Sequence, residues 1–254
     1  MEYAKPRAVN GLSECYFYHS MDLPGIGMVK GNWDLRQNID EYLGRADFKG
    51  KRVLDVGCAS GFLSFHMEKQ GADVVSFDLD KNLDWDMVPF AKWEHLHHIS
   101  NERKTIVDRL NNSFWLAHRL LDSRAKVAYG SVYAIPEAIG AVDYSVYGSI
   151  LLHLRDPFLA LQNGLRLTRE KVIVSDVLRG VKIKTGEPYL GFLPDFKTVE
   201  PKDAWWDVRP EWVVAAIGAL GFEKTKITYH TQKYEGRDIE LYTVVGTRTH
   251  GTVD

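Results

Sequence analysis

Residues 53 to 61 read Val53-Leu54-Asp55-Val56-Gly57-Cys58-Ala59-Ser60-Gly61, an apolar strand run that enters a turn of small residues before a helix. Gly57 and Gly61 let the backbone approach a ligand closely, and the free N–H groups at the start of the following helix suit a carboxylate or phosphate. A dinucleotide turn spaces its glycines Gly-x-Gly-x-x-Gly. Here the pattern is Asp-x-Gly-x-x-x-Gly, with Asp55 just ahead of the turn. A carboxylate there repels a pyrophosphate but tolerates or water-bridges an ammonium group, so the pattern points to a nucleotide that carries an amino acid. The alternative is a tight strand-to-helix turn without ligand. A second acid, Asp78, closes the next apolar run 17 residues beyond Gly61, where doubly wound folds place a carboxylate to accept both ribose hydroxyls. Its own alternative is a solvated turn residue beside Asp80. Gly130-Ser131-Val132 stands where a backbone amide and a short polar side chain would read an adenine edge.

Positioning these residues requires strands that end side by side. From Lys51 onward, β-branched runs alternate with helix-period segments, the pattern of parallel strands joined by crossover helices. Strands are expected at Arg52 to Val56, Asp73 to Phe77, Lys126 to Tyr129, Val142 to Tyr147 and Lys171 to Val177. Helices are expected from Phe62 to Gln70, stopped by Gly71; through Ile106, Leu110, Phe114, Ala117 and Leu121; and from Asp156-Pro157, a cap followed by an N1 proline. Arg209-Pro210 opens a last helix that stops at Gly221. The runs Glu223 to Tyr229 and Ile239 to Thr247 then read as a hairpin. Residues 1–50 form an N-terminal cover segment, and residues 51–254 form the main domain, with an insertion at 179–208 as a lid.

Composition bounds the rest. The chain of 254 residues is 45% hydrophobic with a formal net charge of -2, so it offers no global field for nucleic acid and needs no disulfide staple. Cys15 and Cys58 are too few for a disulfide framework, no apolar run reaches a membrane-spanning length, and the first residues lack a signal peptide, so the expected location is the cytoplasm. His95, His97 and His98 lack a carboxylate or cysteine at ligand spacing; they read as a solvated loop, and no metal is assigned.

Val53 to Gly61, Asp78, Gly130-Ser131-Val132 and Val142 to Pro157 together resemble the class I S-adenosylmethionine (SAM) dependent methyltransferases, over roughly residues 51–248. Tyr18-His19, Trp33-Asp34-Leu35-Arg36, the run Gly148 to Pro157, and Trp205-Trp206 ahead of a helix ending Leu220-Gly221-Phe222 look like the branch of the tRNA wobble-uridine carboxymethyltransferases and their small-molecule methyltransferase relatives. The resemblance implies an α/β fold, a Rossmann-like seven-stranded sheet of five parallel-type strands plus a C-terminal β-hairpin, with helices on both faces. It implies SAM as cofactor, cradled by Gly57, Gly61 and Asp78 with Asp55, Cys58, Ala59, Leu79, Ser131 and Val132 around it. The methionine end would lie near Gly148 and Ser149, and the N-terminal segment would fold over it. The sequence departs from the pattern at Ala59, where a glycine is usual, and at Leu151-Leu152, where the tRNA branch has Leu-Tyr. No separate basic domain precedes residue 50. These departures favour a plain methyl donor over a carboxylated one.

Methyl transfer from a sulfonium asks the protein to align acceptor and methyl and to exclude water. A base is required when the acceptor is a hydroxyl or a protonated amine, and His153 is placed for it; its alternative is a capping or carbonyl-bonded histidine. Trp205, Trp206 and Arg209 are candidate acceptor-binding residues, or packing under the lid. Trp33 and Arg36 either contact the SAM carboxylate or anchor a helix through Ile39 and Leu43. The leading expectation is a methyltransferase acting on oxygen or nitrogen of a small or medium-sized molecule. The alternatives are a tRNA enzyme, using Lys182, Lys184, Lys197, Lys202 and Arg209 despite the interrupting Asp195, Glu200, Asp203 and Asp207, or a SAM-binding protein without catalysis. A dehydrogenase ranks last on glycine spacing.

Overall fold

The computed structural model describes residues 2–91, 96–179 and 186–251. The chain begins with β1 (Met21–Leu23) and β2 (Gly27–Val29), paired antiparallel, then β3 (Trp33–Asp34) and the short α1 (Ile39–Tyr42). The alternating part follows: β4 (Arg52–Val56), α2 (Phe62–Lys69), β5 (Asp73–Asp78), α3 (Leu96–Leu120), β6 (Lys126–Tyr129), β7 (Val142–Gly148), α4 (Pro157–Leu165) and β8 (Thr168–Val177). A small ribbon, β9 (Leu190–Phe192) with β10 (Trp206–Val208), precedes α5 (Pro210–Ala219) and the long hairpin β11 (Lys224–Tyr234) and β12 (Arg237–Thr247). Among the described residues no helix is long and apolar enough to cross a membrane.

The main sheet has the order β3-β11-β12-β8-β7-β4-β5-β6. Strands β4 to β8 run parallel, and β12 joins β8 antiparallel. The chain starts the parallel part of this sheet at β4, moves outward through β5 and β6, and then crosses back to β7 on the other side of β4. Beyond the carboxyl ends of β4 and β7 the order therefore reverses, and there the crossovers diverge and leave a crevice.

The sheet has eight strands where seven were expected. The hairpin reaches further than its apolar runs suggested, because Glu235 and Gly236 both take positive φ (49° and 82°) and close a two-residue turn whose twist matches long strands. The extra length of β11 gives Trp33 and Asp34 partners, Tyr234 and Lys233, and so admits the eighth strand.

Strand alternation sorts side chains into a core on each face. Leu54, Val56, Val172, Val174 and Val244 face α4 and α5, against Leu161, Leu165, Val213 and Ile217. Val53, Tyr144, Val146 and Ile173 point the other way, onto Leu63 and Met67 of α2 and onto Leu35, Tyr42, Leu43 and Phe48 of the N-terminal segment. Residues ahead of position 50 thus belong to the core as well as to the cover. α4 starts as its sequence dictates, with the Asp156 carboxylate accepting the Leu159 N–H at 2.9 Å and Pro157 in its first turn.

At Gly164, in α4, an added Cβ would lie 2.0 Å from the hydroxyl oxygen of Tyr147, itself fully buried on β7. Gly164→Ala is expected to lower unfolding free energy by about 1–3 kcal/mol through overpacking, measured by urea denaturation; an unchanged midpoint would show that Tyr147 has room to retreat.

Candidate active site

The carboxyl ends of β4, β5, β6 and β7 open into a cavity of about 420 Å³, roofed by Tyr16, Tyr18 and His19 from the N-terminal segment and closed at one side by α3. That volume falls within the range of small-molecule sites. Gly57, Ala59, Asp78, Leu79, Ser131, Val132, Gly148, Ser149 and His153 all line it. A shallower, more open depression on the outer side of the N-terminal segment, lined by Leu12, Lys30, Gly31 and Glu235, contains none of these strand-end residues.

The turn after β4 is fixed by backbone geometry. Gly57 (φ 79°) donates to the Phe77 carbonyl at 2.8 Å, and a Cβ there would sit 2.4 Å from Ile150 Cδ1. Ala59 is left-handed (φ 48°), which directs its N–H to Asp78 Oδ2 at 2.6 Å. Glycine is the usual residue at such a φ; alanine holds it at a strain of roughly 1 kcal/mol. Asp78 Oδ1 accepts the Leu79 N–H at 2.7 Å. Burial raises the Asp78 pKa while these two N–H groups oppose the rise. A carboxylate offers about four acceptor positions, so each oxygen keeps capacity for a ligand hydroxyl.

Asp55 lies one layer behind this wall. It is fully buried and accepts from Ser64 Oγ at 2.5 Å, while its Oδ1 has no partner. Desolvation pushes its pKa up to about 7. Cys58 and Gly61 also lie outside the cavity lining. Burial raises the Cys58 thiol well above its ordinary value. Gly61 (φ 87°) caps α2, and a Cβ on it would meet the rings of Phe65 and Phe114 at 2.5 and 2.7 Å.

The aromatic and cationic residues singled out in the cover segments take supporting positions. Trp33 is buried against Tyr234, and its indole N–H donates to the Tyr18 hydroxyl at 3.2 Å. Arg36 is held in a fork by Asp34, with both bonds at 2.8 Å, and reaches Asp22 at 3.1 Å. Trp205 donates to the Asp86 carbonyl at 2.8 Å and Trp206 to the Leu154 carbonyl at 2.9 Å, so both brace the lid from behind. Arg209 is buried, donates to the Arg179 carbonyl at 2.8 Å and lies 4.0 Å from Asp207. Lys182, Lys184 and His95, with the side chains of His97 and His98, fall outside the described residues. Among the described residues no cluster of histidine, cysteine and carboxylate groups could hold a metal.

His153 stands on a turn of 3-10 helix after β7, and its Nδ1 is hydrogen-bonded to the backbone carbonyl of Asp203. A carbonyl only accepts, so the proton resides on Nδ1 and Nε2 keeps its lone pair. Burial lowers the His153 pKa below the ordinary histidine value, which keeps the ring neutral near pH 7.

The structure adds wall residues that spacing did not reveal. His19 is 7% exposed, its Nδ1 has no partner, and burial lowers its pKa to about 4; its amide N–H donates to Ser60 Oγ at 3.3 Å, tying the roof to the glycine turn. Tyr18 is pushed up to about 12 by burial. Asp86 joins three segments: Tyr133 donates to it through its hydroxyl, the Arg155 N–H reaches the same Oδ2 at 2.5 Å, and Arg155 Nε lies 3.4 Å from Oδ1. Arg103 of α3 lies across the cavity mouth. These residues come from the linker before α3, from α3 and from the N-terminal segment, whose side chains converge only through tertiary packing.

The mostly parallel sheet and its flanking helices match the Rossmann-like fold of solved SAM-dependent methyltransferases. The N-terminal domain of EvdMO1, crystallised with S-adenosylhomocysteine and D-fucose, aligns over 94% of this chain and 93% of its own at a TM-score of 0.52 and 15% identity. A SAM-dependent methyltransferase from Methanosarcina mazei aligns over 85% of this chain and 98% of its own, at a TM-score of 0.53 and 15% identity. In sequence, the ubiquinone biosynthesis O-methyltransferase of Acinetobacter baylyi is 43% identical over 54 residues, 21% of this chain and 20% of that protein. The namesake from Aliivibrio fischeri strain MJ11 is 62% identical over 32 residues, 13% of this chain and 14% of that protein. The chain thus matches a fifth or less of the length of these relatives. No protein-family model matches the sequence.

Because burial lifts folded Asp55 to about 7 while an unfolded aspartate titrates near 3.9, the folded protein retains a proton that the unfolded chain releases between about pH 4 and 7. Stability from this group is complete below about pH 4 and is lost as pH rises through 7. Asp176, also raised to about 7, acts in the same sense. Asp55→Asn is expected to flatten the fall in unfolding free energy across this window without abolishing it; a slope equal to wild type would place the neutral carboxyl elsewhere.

Proposed function

We propose that this protein is a SAM-dependent methyltransferase that acts on an oxygen, or on a nitrogen, of a small or medium-sized molecule. The observation that carries this reading is the cavity itself. It runs from a carboxylate with free acceptor capacity, Asp78, to a neutral imidazole with a free Nε2, His153. The short matches to ubiquinone biosynthesis O-methyltransferases and the fold shared with SAM-dependent methyltransferases support it.

The residues present suit the cofactor. Asp78 would accept the ribose hydroxyls, Ser131 and Val132 would flank the base, and the backbone at Gly57, Ala59, Gly148 and Ser149 would admit the amino-acid end. Bound SAM supplies an electrophilic methyl group on sulfur. The chain's own task is to align an acceptor, keep water out with Tyr16, Tyr18 and His19, and take the acceptor's proton on His153 Nε2. The imidazole is suited to that role because the Asp203 carbonyl holds its tautomer and burial keeps it neutral. Near-balanced charge supports a small acceptor over a polyanion. The free, buried cysteines suit a reducing compartment, the cytoplasm.

Calorimetric titration with SAM tests the cofactor; NAD binding in its place would overturn the reading. Asp78→Ala is expected to weaken SAM binding by about 1.5–3 kcal/mol for each charge-assisted bond lost. His153→Gln is expected to lower turnover of a hydroxyl acceptor roughly 100-fold with SAM affinity unchanged. Undiminished turnover would remove His153 from the mechanism.

A further inference from the structure

Asp203 makes two contacts that matter to the cavity. Its backbone carbonyl accepts from His153 Nδ1, and its carboxylate accepts an ion pair from Arg103 Nη2 at 2.6 Å. Arg103 projects from α3 and lines the same cavity as His153, which stands on the turn after β7. Its guanidinium carbon lies 5.3 Å from the centroid of the Trp85 ring, and its side chain is 24% exposed. The segment around Asp203 is braced from the protein side as well. Trp205 N–H donates to the Leu152 carbonyl at 2.7 Å, and Val88 N–H donates to the Lys202 carbonyl at 3.0 Å. The 202–205 segment is thus tied to the turn at 152–153 and to Val88. Arg103 is the connection from α3.

Resting on the methyltransferase reading, we propose that Arg103 is a positioning residue for the base. By clamping the Asp203 carboxylate, it holds the Asp203 carbonyl against His153 Nδ1 and so keeps the proton on Nδ1 and the lone pair on Nε2, facing the acceptor. A neutral imidazole freed of its carbonyl partner distributes its proton between both nitrogens, and in the Nε2–H form it cannot accept the acceptor's proton. An isolated exposed ion pair contributes little to stability, and this one earns its place through geometry.

The charged groups acting on the His153 ring are Asp203, Arg179 just beyond β8, and Arg103 itself. Among the other ionisable groups of the cavity, Asp86 is engaged by Tyr133 and Arg155, and His19 is held neutral near pH 7 by burial. Removing Arg103 takes away a cation and also loosens the ring toward water. Both changes raise the His153 pKa toward the ordinary value, so the acidic limb of activity moves to higher pH.

Imidazole 15N spectroscopy of the whole, ligand-free protein tests this without depending on turnover. Wild type is expected to show His153 as a single Nδ1–H tautomer. In Arg103→Met the Nε2–H form is expected to reach roughly a tenth or more of the population, with partial return in Arg103→Lys. Asp203→Asn keeps the carbonyl and removes the ion pair, so its tautomer population is expected to match that of Arg103→Met and serves in its place should that variant fail to fold; its acidic limb is expected to move the other way, because it removes an anion that raises the His153 pKa. With a hydroxyl acceptor, kcat of Arg103→Met is expected to fall roughly 10-fold, the KM for SAM to hold, and the acidic limb to shift upward. An unchanged tautomer in both variants would overturn the proposal whatever happens to turnover. Altered tautomers in a protein that transfers no methyl would leave the clamp standing and remove the methyltransferase reading instead.

Discussion

The hydrogen bond from Ala59 N–H to Asp78 joins the turn after β4 to the end of β5 and sets the shape of the cavity floor. It needs a left-handed backbone at residue 59, which a β-carbon resists, and it needs a carboxylate held at a strand end where burial disfavours charge. Neither condition is favourable alone. Each supports the other: the N–H stabilises the carboxylate, and the carboxylate compensates the strained turn. Around that bond the sheet order does the rest, since the crossover from β6 to β7 leaves nothing to fill the space beyond β4.

Burial is the common cause of the site's electrostatics. It raises Asp55 and Asp78 and lowers His19 and His153. The same desolvation therefore favours uncharged acids and uncharged imidazoles within a few layers of each other. The charged groups at the cavity are held by partners: Arg103 with Asp203, Asp86 with Tyr133 and Arg155, and Asp78 with the Ala59 and Leu79 N–H groups.

Local patterning made the floor of the site legible. Gly57, Asp78 and Ser131 stand at or within two residues of the end of a strand whose apolar run marks it, and His153 on the turn that follows β7, so their meeting follows once the strands are parallel. The roof and the mouth were not legible in the same way. His19, Trp85 and Arg103 come from irregular segments or from one face of a long helix, and nothing in their spacing says which side chains converge. The tryptophans illustrate the limit. Trp33, Trp205 and Trp206 stand out by type and by their place in the sequence, yet none lines the cavity, and each indole N–H is spent on a residue that does: Tyr18, Asp86 and Leu154. Composition identified aromatic-rich segments but could not say which face of the ring would meet the cavity. Arg36 shows the same limit for charge, since Asp34 two residues away satisfies it locally. The eighth strand escaped notice because a two-residue pairing carries no periodicity of its own.

The pairing of β3 with β11 joins residues about 200 positions apart in the chain. Placing β3 therefore requires closure of a loop of about 200 residues, a cost that grows only slowly with length. The roof thus hangs from two sides: Tyr16 and His19 are tied to Ser113 and Ser60, while β3 is tied to the hairpin strand β11.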